Sequence, residues 1–152
     1  MLERRGVMAD RLDQNRVEFL KRDFSRGFIK YCGFEAVDIE RGKVESSLNV
    51  TDHHRQQDGF VHAGVMAAMA DHTAGYAGFT TVEDNRRILT VEFKINFLRP
   101  AFGQVLKCSA HVIRGGSNLI VAEADVYDMR KEGPVLCAKA MMTQAAVEIS
   151  EA

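Results

Sequence analysis

Apolar residues recur along this chain in two rhythms. Over residues 9–30, Leu12, Val17, Phe19, Leu20, Phe24 and Phe28 fall at helical spacing among Asp, Arg, Glu and Lys. This predicts an amphipathic helix whose last turn Gly27 weakens and which Gly33 ends. Further on the period shortens to two. Val44, Leu48 and Val50 alternate with Glu45, Ser47 and Asn49, so residues 34–40 and 43–51 predict two strands joined at Arg41-Gly42. A polar loop, Thr51 to Gly59, leads to residues 62–79, an almost uncharged stretch that predicts a buried helix. Val65, Met69, His72, Tyr76 and Phe79 share one face of it. Four more strands are predicted over 88–98, 104–113, 119–129 and 135–147. In the first, Leu89, Val91, Phe93, Ile95 and Phe97 alternate with Thr90, Glu92, Lys94 and Asn96. The links between these strands are short and rich in Gly, Pro, Ser and Asn, which predicts an antiparallel meander of hairpins.

An α+β architecture follows: about six antiparallel strands whose apolar face needs a cover, with the 62–79 helix as that cover and an additional N-terminal helix. The 152 residues suit a single domain, expected over 9–149, with residues 1–8 as a disordered extension. A net charge of −1, from 20 basic and 21 acidic residues, provides no global field for nucleic acid or a membrane surface. No apolar run approaches a membrane span, and the charged N-terminus has no apolar stretch behind it. Cys32, Cys108 and Cys137 have neither disulfide-framework nor zinc-knuckle spacing, and read as reduced thiols of a cytoplasmic protein. His53, His54, His62 and His72 lack compact ligand spacing, so no metal is expected. The chain also lacks a Gly-x-Ser-x-Gly nucleophile elbow.

Asp71 is the anomaly. It is the only acid in the 62–79 helix, and its neighbours three, four and seven positions away are Gly64, Ala67, Ala68, Ala74, Gly75 and Gly78. Its carboxylate therefore lies on a stripe without bulk, where a ligand or a second subunit can approach. At the start of the same helix, after Gly59-Phe60-Val61-His62, backbone N–H groups lack intrahelical acceptors and suit an oxyanion. Ala63 precedes Asp71 by about 12 Å along the axis. That is too far for both to act on one carbonyl within one chain, so the two groups would have to come from two subunits. Arg99, Arg114 and the Gly115-Gly116-Ser117-Asn118 turn are candidates for holding a phosphate, and Phe60, Met66 and Phe79 for lining an apolar ligand pocket.

His62-Ala63-Gly64 followed by Met69-Ala70-Asp71 resembles the His-Gly-Gly and Leu-Ala-Asp signature of hotdog thioesterases, of the phenylacetate-pathway and 4-hydroxybenzoyl-CoA thioesterase types. Phe97-Leu98-Arg99-Pro100 resembles that family's Phe-Leu-Arg-Pro turn. The likeness covers residues 30–147 and implies the hotdog fold and hydrolysis of acyl- or aryl-CoA thioesters without a cofactor. It implies that Asp71 is nucleophile or general base, that the Ala63 N–H polarises the carbonyl, and that Gln56 and Thr90 assist. It also places His62, Gly64, Arg99, Gly116 and Ser117 at the substrate, and implies a homodimer at least, with a homotetramer as the family's habit. Ala63 stands where the family has Gly, and Gly75 stands where some relatives place a Thr. Two alternatives remain: a hotdog hydratase or dehydratase, which needs a His beside its acid, and a non-catalytic acyl-CoA-sensing module.

Overall fold

The computed structural model describes residues 11–149. The extension expected at 1–8 lies outside them, as do the first two residues of the helix expected over 9–30.

That helix is in fact two. Asp13 caps α1 (Gln14–Phe24), its carboxylate accepting the Arg16 N–H at 2.9 Å. Gly27 then takes φ +56°, a conformation that L side chains rarely adopt, and the chain restarts as α2 (Phe28–Cys32). The break decides which apolar residues are enclosed. Leu20 and Phe24 are fully buried, whereas Phe28, expected on the same face, is 67% exposed.

A hairpin of β1 (Phe34–Glu40) and β2 (Lys43–Asn49) follows, then a 3-10 turn at Asp52–His54 and the central helix α3 (Ala63–Phe79). The remaining strands are β3 (Arg86–Phe97), β4 (Val105–Arg114), β5 (Leu119–Arg130) and β6 (Gly133–Glu148). All six strands form one antiparallel sheet in the order β1-β2-β4-β5-β6-β3, wrapped around α3. This is the hotdog fold.

The expected meander holds only in part. β4, β5 and β6 are joined by hairpins, but β3 does not pair with β4. It lies at the far edge against β6, and the chain crosses over through residues 98–104 to place β4 beside β2. The crossover cannot close as a hairpin because its polar groups are taken elsewhere. The Ala101 carbonyl accepts from Val61, and the Phe102 and Gly103 amides donate to Asp128.

The inner face of the sheet is built from small residues. Ala110, Ala122, Ala124, Ala138, Ala140 and Cys108 are all buried, so α3 lies close to the strands. α3 turns Met66, Met69, Ala70, Thr73 and Ala77 inward. The bulky residues expected to share one face divide. Met69 joins the sheet side, while His72 and Tyr76 meet α1, their rings 4.4 and 5.0 Å from that of Phe24. The Tyr76 hydroxyl donates to Asp23 at 2.8 Å. Phe79 is not among the residues lining the cleft at Ala63: it is buried between the guanidinium groups of Arg16 and Arg87, 4.6 and 5.2 Å from its ring.

Gln144 of β6 is a polar residue in this interior. It is fully buried against Gly78, and among the described residues neither amide atom has a hydrogen-bond partner. Gln144→Met, of similar shape, is expected to raise the unfolding free energy by about 1 kcal/mol, because it removes an uncompensated desolvation cost. Urea titration measures it, and a lower midpoint for the variant would contradict the account.

Candidate active site

Asp71 lies on the flank of α3 that faces β3. Its carboxylate accepts a hydrogen bond from the Thr90 hydroxyl at 2.7 Å. Strict alternation along β3 would have turned Thr90 away from the helix, together with Glu92 and Lys94. A register irregularity between Thr90 and Glu92 reverses the phase. Thr90, Phe93, Ile95 and Phe97 therefore pair with the inward Gln144, Met142, Ala140 and Ala138 of β6, and Leu89 faces outward. Beside Asp71 the helix is bare: a Cβ added at Gly75 would meet nothing within 4 Å.

His62 caps α3, its Nδ1 accepting the Gly64 N–H at 2.9 Å, and the Val65 N–H donates to the His62 carbonyl. The Gly64 amide expected at the substrate is thus already engaged. The Ala63 N–H makes no hydrogen bond among the described residues. It opens on a cleft of about 500 Å³ lined by Gln56, Phe60, His62, Ala63, Met66 and Arg99, among others. The Gln56 side-chain carbonyl accepts from the Asp58 amide, which leaves the Gln56 NH2 group as a donor. Arg99 reaches the Leu136 carbonyl at 3.2 Å along the rim.

The structure thus brings Gln56, His62, Ala63 and Arg99 together at one end of α3, and Asp71 and Thr90 together on its flank. Gly116 and Ser117 join neither group. They line a second cleft, of about 530 Å³, beyond the C-terminal end of α3 with Arg41, Thr81 and Arg86.

No histidine serves Asp71. His72 donates away from it, its Nε2 lying 2.9 Å from the Phe24 carbonyl, and burial lowers its pKa, so at neutral pH it is an uncharged packing residue. Asp71 has no histidine partner among the described residues; His111 instead contacts the Glu123 carboxylate at 3.1 Å, away from Asp71 on β4 and β5. The thiols are equally inert. Burial pushes Cys108 up to about 12 and raises Cys137, and no cysteine is disulfide-bonded. No cluster among the described residues has the makings of a metal site.

The sequence model of the Thioesterase superfamily matches residues 58–137, a span that holds Ala63, Asp71 and Thr90. The chain belongs to that superfamily. A thioesterase family protein from Silicibacter pomeroyi has a similar crystal structure, with 32% identity and a TM-score of 0.83, covering 87% of this chain and 98% of the other. The 1,4-dihydroxy-2-naphthoyl-CoA hydrolase of Listeria monocytogenes is 28% identical over 102 residues, 67% of this chain and 83% of the relative. Human acyl-coenzyme A thioesterase 13 is 27% identical over 104 residues, 67% of this chain and 74% of that one. This thioesterase is a thioester hydrolase. None of its described helices is long and apolar enough to cross a membrane. Sequence reading overlooked two residues of its cleft region, Arg55 and Asp128. Asp128 could have been found, because an acid there breaks the inward series Ile120, Ala122, Ala124, Val126.

Proposed function

We propose that this thioesterase hydrolyses acyl- or aryl-CoA esters to the free acid and CoA at a site shared between two copies of the chain. The observation that carries the reading is the Asp71 carboxylate, oriented by the Thr90 hydroxyl at 2.7 Å and facing open space at Gly75. With one oxygen held by Thr90, the other takes a proton from water as the water oxygen attacks the thioester carbonyl. Alternatively it attacks the carbonyl itself to form an anhydride that water cleaves. The oxyanion is stabilised by the Ala63 N–H and the Gln56 NH2 at the positive end of α3. Collapse expels the CoA sulfur, which takes up the proton.

A second copy is needed because Ala63 and Asp71 stand about 12 Å apart along one helix. β3 supports such pairing. It is a 12-residue edge strand that exposes Leu89, Val91, Phe93 and Phe97. An open apolar edge of this length is a template for another strand. Antiparallel pairing of two β3 strands sets the Arg86 end of one against the Phe97 end of the other. The Gly116–Ser117 turn of the second copy then flanks the first cleft, and its Arg86 and Arg41 supply charge for CoA phosphates. Stacking of two such dimers gives the tetramer that the family resemblance implies. The reading needs no cofactor.

Thiol release measured over a panel of acyl- and aryl-CoAs tests this. Wild type is expected to turn over at least one of them, and Thr90→Val to lower kcat about tenfold, the value of one hydrogen bond to a charged group. Binding without thiol release across the panel would make the protein an acyl-CoA-sensing module instead.

A further inference from the structure

Two loops build the rim of the first cleft, residues 54–62 before α3 and the crossover 98–104 after β3. The first is a small hairpin. The Gln56 amide donates to the Phe60 carbonyl and the His62 amide to the His54 carbonyl, each at or below 2.9 Å. It ends at Ala63. Arg55 sits at its base, half-buried, and has no carboxylate partner among the described residues. Its guanidinium is spent on three backbone carbonyls: Nη1 donates to Gly59 at 2.9 Å and to Phe102 at 3.3 Å, and Nη2 to Gly103 at 2.9 Å. One carbonyl belongs to its own loop and two to the crossover.

The crossover is itself held rigidly. Asp128, fully buried in β5, accepts the Phe102 and Gly103 amides, each at 3.1 Å, and the Arg130 Nε at 2.9 Å. Arg130 also donates to the Pro100 carbonyl at 2.8 Å and lies 4.0 Å over the Phe102 ring. The Val61 amide ties the first loop to the Ala101 carbonyl at 2.8 Å. The approach to Ala63 is thus braced against the sheet through the crossover, and Arg55 is the only side chain among the described residues that bonds to both loops.

We infer that Arg55 is a positioning residue, which sets the Gln56 amide and the Ala63 N–H at the spacing the oxyanion needs without touching substrate. The inference rests on the reading of Ala63 and Gln56 as oxyanion donors. Preorganised donors lose effect steeply when their aim shifts by about 1 Å. A planar fork serves three carbonyls at once, which a lysine ammonium on a flexible stem does not.

The test uses the full chain with Arg55→Met, which keeps the stem, and Arg55→Lys, which keeps the charge. Both are assayed with an acyl-CoA that wild type turns over, well below the thermal midpoint, beside Asp71→Asn as a control. The expected result is a fall in kcat of about thirtyfold for Met and less for Lys, with KM changed by less than about threefold, as for a loss confined to the transition state. If Met does not fold, Lys decides alone. Three results would overturn the inference: kcat within about twofold of wild type, a lowered thermal midpoint with kcat unchanged, or a raised KM with kcat unchanged. The last would make Arg55 a contact to CoA. If Asp71→Asn also turned over normally, the site itself would be misassigned. A normal Arg55→Met beside a dead Asp71→Asn sinks only the inference.

Discussion

Asp71→Asn is expected to lower kcat for acyl-CoA hydrolysis by about a thousandfold, in the middle of the range for losing a positioned base. The amide keeps the shape of the side chain and can still accept the Thr90 hydroxyl. It cannot take a proton from water or form an acyl bond to the substrate. A thousandfold corresponds to about 4 kcal/mol of transition-state stabilisation, far above the value of an exposed polar contact. The change should not be a folding effect. Asp71 is only half-buried, and its one hydrogen bond among the described residues is to Thr90. The circular-dichroism spectrum and thermal midpoint should therefore match wild type, with KM little changed. Rapid-quench detection of an acyl-enzyme would assign Asp71 as the nucleophile; free acid appearing without one would assign it as the base. Full turnover by the Asn variant would reduce Asp71 to a partner of Thr90.

The largest effect on stability is expected at Asp128, which holds the crossover and not the reacting groups. Asp128→Ala removes a fully buried carboxylate that satisfies two consecutive backbone amides and Arg130. Breaking a buried pair from one side costs about 3–5 kcal/mol, since the abandoned partners stay desolvated. In a chain of this size that is a fall of roughly 10–15 °C in thermal midpoint. Gly103 belongs to the same contact, because a Cβ there would collide with the Asp128 carboxylate, so Gly103→Ala should be destabilising in the same assay. A midpoint within about 2 °C of wild type for Asp128→Ala would mean that water serves the freed amides at little cost.

Much of this fold was legible from local pattern. The hairpin at Arg41-Gly42 and the turns before β5 and β6 were marked by residues whose backbone preference acts over a few positions. The lone acid of α3 stood out for a related reason: a charge in a stripe of Gly and Ala has no local partner. Other features were misread because two structures share one local pattern. The 98–104 link looks like the other turns, yet its polar groups bond to Val61 and Asp128, so it carries the chain across the sheet. The alternation of β3 predicts a Thr90 that faces away from α3, and one extra residue in the strand turns it inward.

From its amino acids alone, the chain determined the α+β class, the element order, the burial of α3 and the isolation of Asp71, because periodicity, turn residues and composition are read within a few residues. Only the tertiary structure decided the strand order, the phase of β3 and the joining of two loops through Arg55. Each depends on partners tens of residues away, such as Thr90 against Gln144 and Arg55 against Gly103. Pairing at that range is selected by the packing of the whole sheet around one helix, and no local propensity encodes it.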